Sequence, residues 1–465
     1  MAGDSKDVAR AHLADAGVYG LPEDWDVITL GDIFTRDRGI AVGVMYPGDH
    51  DPDGVPLIKA GDLNGSIINP QPEFRISKDK HHEYSRSALE GGELLMTLVG
   101  NVGQCAVVPP RMAGWNAARA VAVMRLADPT ETHFVQQVLL SRPLQHLMDV
   151  WCNTTVQATL NLKEIRQLPL PWPPKKHRDA IAEFGKALDD KIELNRRMNA
   201  TLEAMARALF QSWFIDFDPV RANMDRNQPS TRPVGHPSPS GRRDGDEGRF
   251  ALDRLFPDSF QDSPLGHIPK GWTVGTVGDI GTNLRRGVQP CHIAPNTPYI
   301  ALEHMPRRSI ALSDWDDSAD VVSGKSAFKK GEILFGKLRP YFHKVGVAPF
   351  DGVCSTDILV LAPKSPEWFG FLLGHASSDE LIQLTDLAST GTKMPRTNWR
   401  DISSFKISLP PKTVAAAYTH IIQLILCQIH ANIHQSRTLA TLRDTLLPKL
   451  LSGELSVSEL NANTP

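Results

Sequence analysis

LPEDWDVITLGDI, residues 21–33, returns as IPKGWTVGTVGDI, residues 268–280: Pro22, Trp25, Val27, Gly31, Asp32 and Ile33 recur 247 positions on as Pro269, Trp272, Val274, Gly278, Asp279 and Ile280. Self-similarity of this kind decides architecture before any single motif does. The copies match again at GGELLMTLVG (91–100) and KGEILFGKLR (330–339), at an offset of 239. From Thr155 to Phe210 the offset is an unbroken 237, aligning Asn161 with Asn398, Ile165 with Ile402, and Pro173–Pro174 with Pro410–Pro411. The chain is a tandem pair of units.

Each unit has two parts. The front part alternates short apolar runs such as ARAVAVMRL and STDILVLA with Gly, Pro and Asp turns, the pattern of a β-rich or mixed α/β domain. The rear part is helical. Ile181, Leu188, Asn195, Leu202 and Leu209 recur every seven residues, with Phe184, Met198 and Met205 between them; Tyr418, Ile425, Asn432, Leu439 and Leu446 repeat the seam, with Ile421 and Leu442 interleaved. Such spacing over about four heptads predicts a coiled coil, and an Asn at matching seam positions is a device for fixing partner and register. The proline pairs precede the helices, where a missing N–H does no harm.

The expected fold class is therefore α/β (α+β): two tandem globular domains, each followed by a long helix, the helices pairing as an antiparallel coiled coil. The expected boundaries are an N-terminal extension 1–20, a first domain 21–174, a central helical region 175–217, a flexible linker 218–265, a second domain 266–411 and a distal helical region 412–465. The linker follows from its richness in Pro, Gly, Arg and Asp.

Of 465 residues, 41% are hydrophobic and 22% charged, which suits a soluble globular chain. Neither an apolar run of membrane-spanning length nor a secretory start is read, so an intracellular protein is expected. Cys105, Cys152, Cys291, Cys354 and Cys427 form no C-x-x-C pair, which argues against structural zinc and disulfides. A net charge of −3 does not announce a nucleic-acid binder, and the halves differ: residues 21–174 carry 13 Lys+Arg against 18 Asp+Glu, residues 268–411 carry 16 against 14.

Catalytic motifs are absent. SGKS (323–326) lacks the upstream glycine of a phosphate loop, WPPKK and LPPKT lack the Asn or Asp of an amino-methyltransferase motif, and FPDSF has no downstream Glu-x-Lys of a metal-dependent nuclease. Neither H-E-x-x-H nor G-x-S-x-G occurs. His81–His82 sits on a polar stretch and reads as solvated. The composition is that of a binder. Antiparallel pairing of the helices would put the two domains at opposite ends of a rod, related by an approximate twofold axis like that of duplex DNA, so each could read half of a split target.

The segments ARALFQSWFIDFDPVRA (206–222), FPDSFQDSPLGHIPKGW (256–272) and RDTLLPKLLSGELSV (443–457), with the tandem layout, closely resemble the specificity subunits of type I restriction-modification enzymes. The resemblance covers essentially the whole chain. It implies two target-recognition domains on helical regions in a non-catalytic subunit that binds double-stranded DNA and assembles with two methyltransferase subunits and with restriction/translocase subunits. It implies no cofactor in this chain, with S-adenosylmethionine, ATP and magnesium on the partners, and a cytoplasmic prokaryotic setting without a membrane.

Base edges are read by Arg, Lys, Asn and Gln, while phosphate contacts set register. The candidate readers in unit one are Asn101, Gln104, Arg119, Thr155 and Gln157; in unit two they are Lys337, Arg339, Tyr341, Lys344, Lys393 and Arg396. Asn161 and Asn398, shared by both copies, read as framework. Trp213, Phe214 and Phe217 exceed what one helix pair can bury and are expected to form an exposed partner-binding cluster. The rival readings are a stand-alone DNA-modifying enzyme and a coiled-coil scaffold for protein ligands.

Overall fold

A computed structural model describes residues 2–154, 158–227, 254–319, 321–388 and 395–456. The chain divides into two compact units: unit 1 comprises Met1–Leu194 and Ser436–Pro465, unit 2 comprises Asn195–Gln435.

The repeated opening stretch makes the same structure in both. Strand Asp26–Thr29 runs antiparallel to Pro169–Trp172 with Asp26 opposite Trp172; strand Thr273–Thr276 runs antiparallel to Lys406–Leu409 with Thr273 opposite Leu409. The offsets of 247 and 237 carry one register onto the other. A one-turn helix follows each entry strand. The Thr29 backbone N–H and hydroxyl both donate to Asp32 Oδ2 at 2.8 Å, and those of Thr276 donate to Asp279 Oδ2 at 2.8 and 2.9 Å. A Cβ on Gly31 would lie 2.9 Å from the Arg166 carbonyl oxygen, and one on Gly278 3.0 Å from that of Ser403. The repeated Gly-Asp is thus a cap beside a backbone contact that admits no side chain.

Behind the entry strands each unit holds a four-stranded antiparallel sheet of one topology. Its order is Ile40–Val42, Val121–Met124, Leu94–Thr97, Cys105–Val107 in unit 1 and Gly281–Asn283, Ile358–Pro363, Ile333–Gly336, Val345–Val347 in unit 2. The shared GE pair has a structural reason. Gly92 and Gly331 have φ of +92° and +84°, open to glycine without a Cβ penalty. Glu93 accepts from the N–H groups of Glu90 and Gly91 and pairs with Arg125; Glu332 accepts from the Lys329 N–H and takes Arg286 in a fork at 2.9 and 2.6 Å. A second, mixed sheet differs in size, three strands in unit 1 and five in unit 2.

The helices Lys175–Phe210 and Lys412–Leu451 each contribute one stretch to either unit. In unit 2 they run antiparallel: Asn195 Nδ2 donates to Gln435 Oε1 at 2.9 Å, Asn432 Nδ2 to Asn199 Oδ1 at 2.8 Å, and Tyr418 Oη to the Ala206 carbonyl at 3.2 Å. In unit 1 Arg443 Nη1 donates to Asp189 Oδ1 at 2.6 Å, and Ile181 shares a core with Leu447 and Leu450. The seam departs from the expected one at its interleaved positions. Met198, Met205 and Leu442 are exposed, whereas Asn199, Glu203, Ala206 and Phe210 are buried. A straight helix drifts relative to a seven-residue repeat, and within unit 2 the first helix also buries a flank against the globular part, where Glu203 accepts from the Ser309 hydroxyl and the Ile310 N–H and Phe210 packs on Phe371, so the buried face is wider than an a/d stripe. Helix Lys412–Leu451 is long and apolar enough by composition to cross a membrane, contrary to expectation. Its Val414, Tyr418, Ile422, Ile425 and Ile429 are buried in the unit 2 core.

Two boundary regions are more ordered than expected. The N-terminal extension forms helix Ala2–Asp15, with Ala9 and Leu13 in the unit 1 core. The expected loose linker starts as helix Asp218–Asn227 with Val220 fully buried, and ends as strand Phe260–Ser263 paired to Gly266–Pro269; its middle, 228–253, lies outside the described residues.

Candidate nucleic-acid interface

In both units the loop after a central strand is stitched to the segment before the last short helix by matching bonds. In unit 1, Val99 bridges Thr159, the Gly100 N–H donates to the Ala158 carbonyl at 3.0 Å, and the Leu160 N–H to that of Leu98 at 3.0 Å. In unit 2, Leu338 bridges Arg396, the Arg339 N–H donates to the Pro395 carbonyl at 2.8 Å, and the Thr397 N–H to that of Lys337 at 2.9 Å. Offsets of 239 and 237 superimpose all three contacts. The loops GNVGQ (100–104) and GKLRPYFHK (336–344), which carry sequence-predicted readers, are therefore neighbours of residues 158–160 and 395–397 within their own units. Asn161 and Asn398 stand at the N-caps of the helices that follow; Asn398 accepts from the Arg400 and Asp401 N–H groups, as a framework residue does.

The predicted residues fall into three groups. Asn101, Arg119, Tyr341 and Arg396 are exposed, with Lys337 and Arg339 partly so. Gln104 and Lys344 serve the frame: Gln104 Oε1 accepts from the Gly65 N–H at 2.7 Å and its amide donates to Asn101 Oδ1 at 3.3 Å, while Lys344 Nζ donates to the Leu302 carbonyl. Burial, reinforced by the nearby Arg307, lowers the pKa of Lys344. Thr155, Gln157 and Lys393 lie outside the described residues.

The unit 2 loop turns sharply. Arg339 and His343, both with φ of +51°, bracket the turn Pro340–Phe342. Non-glycine residues in this region carry strain that surrounding contacts must hold. Tyr341 meets Phe342 edge-on at 4.7 Å, and Arg307 lies over the Phe342 ring at 4.1 Å. Asp357 stands 4.0 Å from Lys337 and 3.5 Å from Arg396. Neither Arg307 nor Asp357 was singled out from sequence, because each lies far along the chain from the motif it serves. Among the described residues no three His, Cys, Asp or Glu gather as a metal site.

The expected exposed cluster on the central helix is corrected. Trp213 and Phe214 are 7% and 3% exposed. Phe214 packs on Phe371 at 4.7 Å and Tyr418 at 4.9 Å, Trp213 on Phe256 at 5.1 Å, and the partly buried Phe217 on Trp272 at 5.6 Å. The globular part of unit 2 and the second long helix supply the apolar surface that a helix pair alone lacks.

The family described as Type I restriction modification DNA specificity domain matches residues 22–204. The type I restriction enzyme MjaIX specificity subunit of Methanocaldococcus jannaschii is 23% identical over 470 residues, covering 97% of this chain and 98% of its own. The HindI specificity subunit of Haemophilus influenzae is 26% identical over 329 residues, covering 64% and 71%. A crystal structure of a type I restriction-modification S subunit from M. genitalium aligns at TM-score 0.47 and 14% identity over 92% of this chain and 96% of its own. Residues 22–204 thus match the type I restriction-modification DNA specificity domain, and over nearly its whole length the chain is similar to the specificity subunits of type I restriction-modification enzymes.

Proposed function

We propose that this chain is the non-catalytic DNA-reading subunit of a type I restriction-modification complex, that it reads a bipartite target with one half assigned to each unit, and that it directs cytoplasmic methyltransferase and restriction subunits to that site. One observation carries the reading: two units keep the same strand registers, caps and loop stitches, yet differ in the side chains those stitches present, Gly100 and Thr159 against Arg339 and Arg396. A common frame with different tips is what two independent readers require, since sequence is read by side chains and register by the scaffold.

The test replaces residues 21–154 with the corresponding domain of another specificity subunit and maps methylated adenines in a genome carrying the hybrid complex. One half of the target should change and the other persist; a change in both halves would refute independent readout. The chain purified without partners should show no methylation, nuclease or ATPase activity.

A further inference from the structure

The contacts that superimpose the two reading loops also reveal an electrical difference between them. At stitched positions where unit 1 carries Leu98, Gly100 and Thr159, unit 2 carries Lys337, Arg339 and Arg396. The adjoining strand adds to it. Leu95 pairs with Val123 as Leu334 pairs with Val360, and that register sets Asp357 where unit 1 has Ala120. Arg307, over Phe342 at 4.1 Å, is a fourth cation beside the same turn, and Arg339 lies 6.0 Å from that ring. Asp357 lies 4.0 Å from Lys337 and 3.5 Å from Arg396; the matched unit 1 residues Leu98, Gly100, Thr159 and Ala120 carry no charge. Composition points the same way: residues 21–174 hold 13 Lys+Arg against 18 Asp+Glu, residues 268–411 hold 16 against 14.

We propose that unit 2 is the salt-sensitive anchor of the complex: Arg307, Lys337, Arg339 and Arg396 grip backbone phosphates of duplex DNA, and Asp357 is the positioning residue that gathers Lys337 and Arg396, while unit 1, which sets the exposed Arg119 beside its stitched loop, grips less strongly. The proposal rests on the DNA-reading function above and deepens it. Neutralising phosphates releases condensed counterions, so each cation engaged adds about 0.9 to the slope of log K against log salt. The strained backbone at Arg339 and His343 fits this role, because a turn held by its surroundings presents its guanidinium without first being ordered. Asp357 keeps the local charge from becoming an indiscriminate magnet.

The full chain, co-expressed with its methyltransferase subunits, is titrated with its mapped target duplex and with an unrelated duplex across a salt series. Arg307→Gln, Arg339→Gln and Arg396→Gln should each reduce the slope by about 1 for both duplexes. Asn101→Ala in unit 1 should weaken target binding equally at every salt concentration and leave the slope alone. Asp357→Asn should steepen the slope and tighten binding to the unrelated duplex with no change in melting temperature; a melting-temperature loss without a slope change would make Asp357 merely structural and overturn its assigned role. Unchanged slopes in folded Arg variants, or an equal slope loss in Asn101→Ala, would overturn the anchor. Absence of any preference for the target by the unaltered complex would instead overturn the underlying DNA-reading assignment.

Discussion

Gly31 and Gly278 show how a single repeated residue is dictated by its neighbour. Each faces a backbone carbonyl at about 3 Å from where a Cβ would stand, and a carbonyl in a fixed turn cannot retreat as a flexible side chain can. Gly31→Ala and Gly278→Ala should therefore each destabilise their own unit by about 1–3 kcal/mol, read as lost amide-exchange protection confined to that unit. The adjoining Asp279 adds a pH dependence. Hydrogen bonds from the Thr276 N–H and hydroxyl hold its carboxyl below the ordinary value. The stabilisation is thus full above the unfolded-state pKa and fades as pH falls through the lower folded value. The destabilisation caused by Asp279→Asn should be largest near neutrality and shrink in acid; a constant difference across the pH range would remove charge from the explanation.

At the scale of the element, the long helices separate periodicity from burial. The seven-residue spacing placed Asn195 and Asn432 in the seam, where they are 1% and 4% exposed. It also placed Met198 and Met205 there, and these are 37% and 51% exposed. Met198→Glu should change stability by no more than about 0.5 kcal/mol, while Asn432→Ala, which removes the hydrogen bonds to Asn199 and Gln428, should cost about 1–3 kcal/mol. Thermal melts of the two variants side by side settle the register. The aromatic segment behaves as core: Phe214→Ser should cost about 3–5 kcal/mol through its cavity and unfold part of unit 2 rather than merely detach a partner. Retention of full stability with loss of partner binding would restore the exposed-surface reading.

Over the whole molecule, duplication supplies one frame twice with different loop tips, and the proposed roles of those tips require that target preference and electrostatic grip can be altered separately. Adding a cation to the neutral loop tests this. Asn101→Arg in unit 1 should raise the salt slope by about 1 and tighten binding to an unrelated duplex, without changing which sequence is methylated in the half assigned to unit 2. A changed methylation pattern in that half would show that the units do not read independently.

The repeat, the capped turns, the helical rear parts and the candidate loops were legible in the chain because each depends on residues close in sequence or on one constant offset. Pro22, Gly31, Asp32 and Glu93 had recurred in the second copy before any contact was known, since a backbone geometry that admits only one residue type leaves the same letter wherever it is reused. Burial and charge pairing are products of segments far apart. Trp213 meets Phe256 and Tyr418, and Lys337 and Arg396 share Asp357, across separations that carry no local signal. Only the tertiary structure could decide that the aromatic run is core, that Gln104 and Lys344 bond to the frame, and that Arg307 and Asp357 stand beside the stitched loop of unit 2, because each outcome depends on which other surface arrives at that side chain.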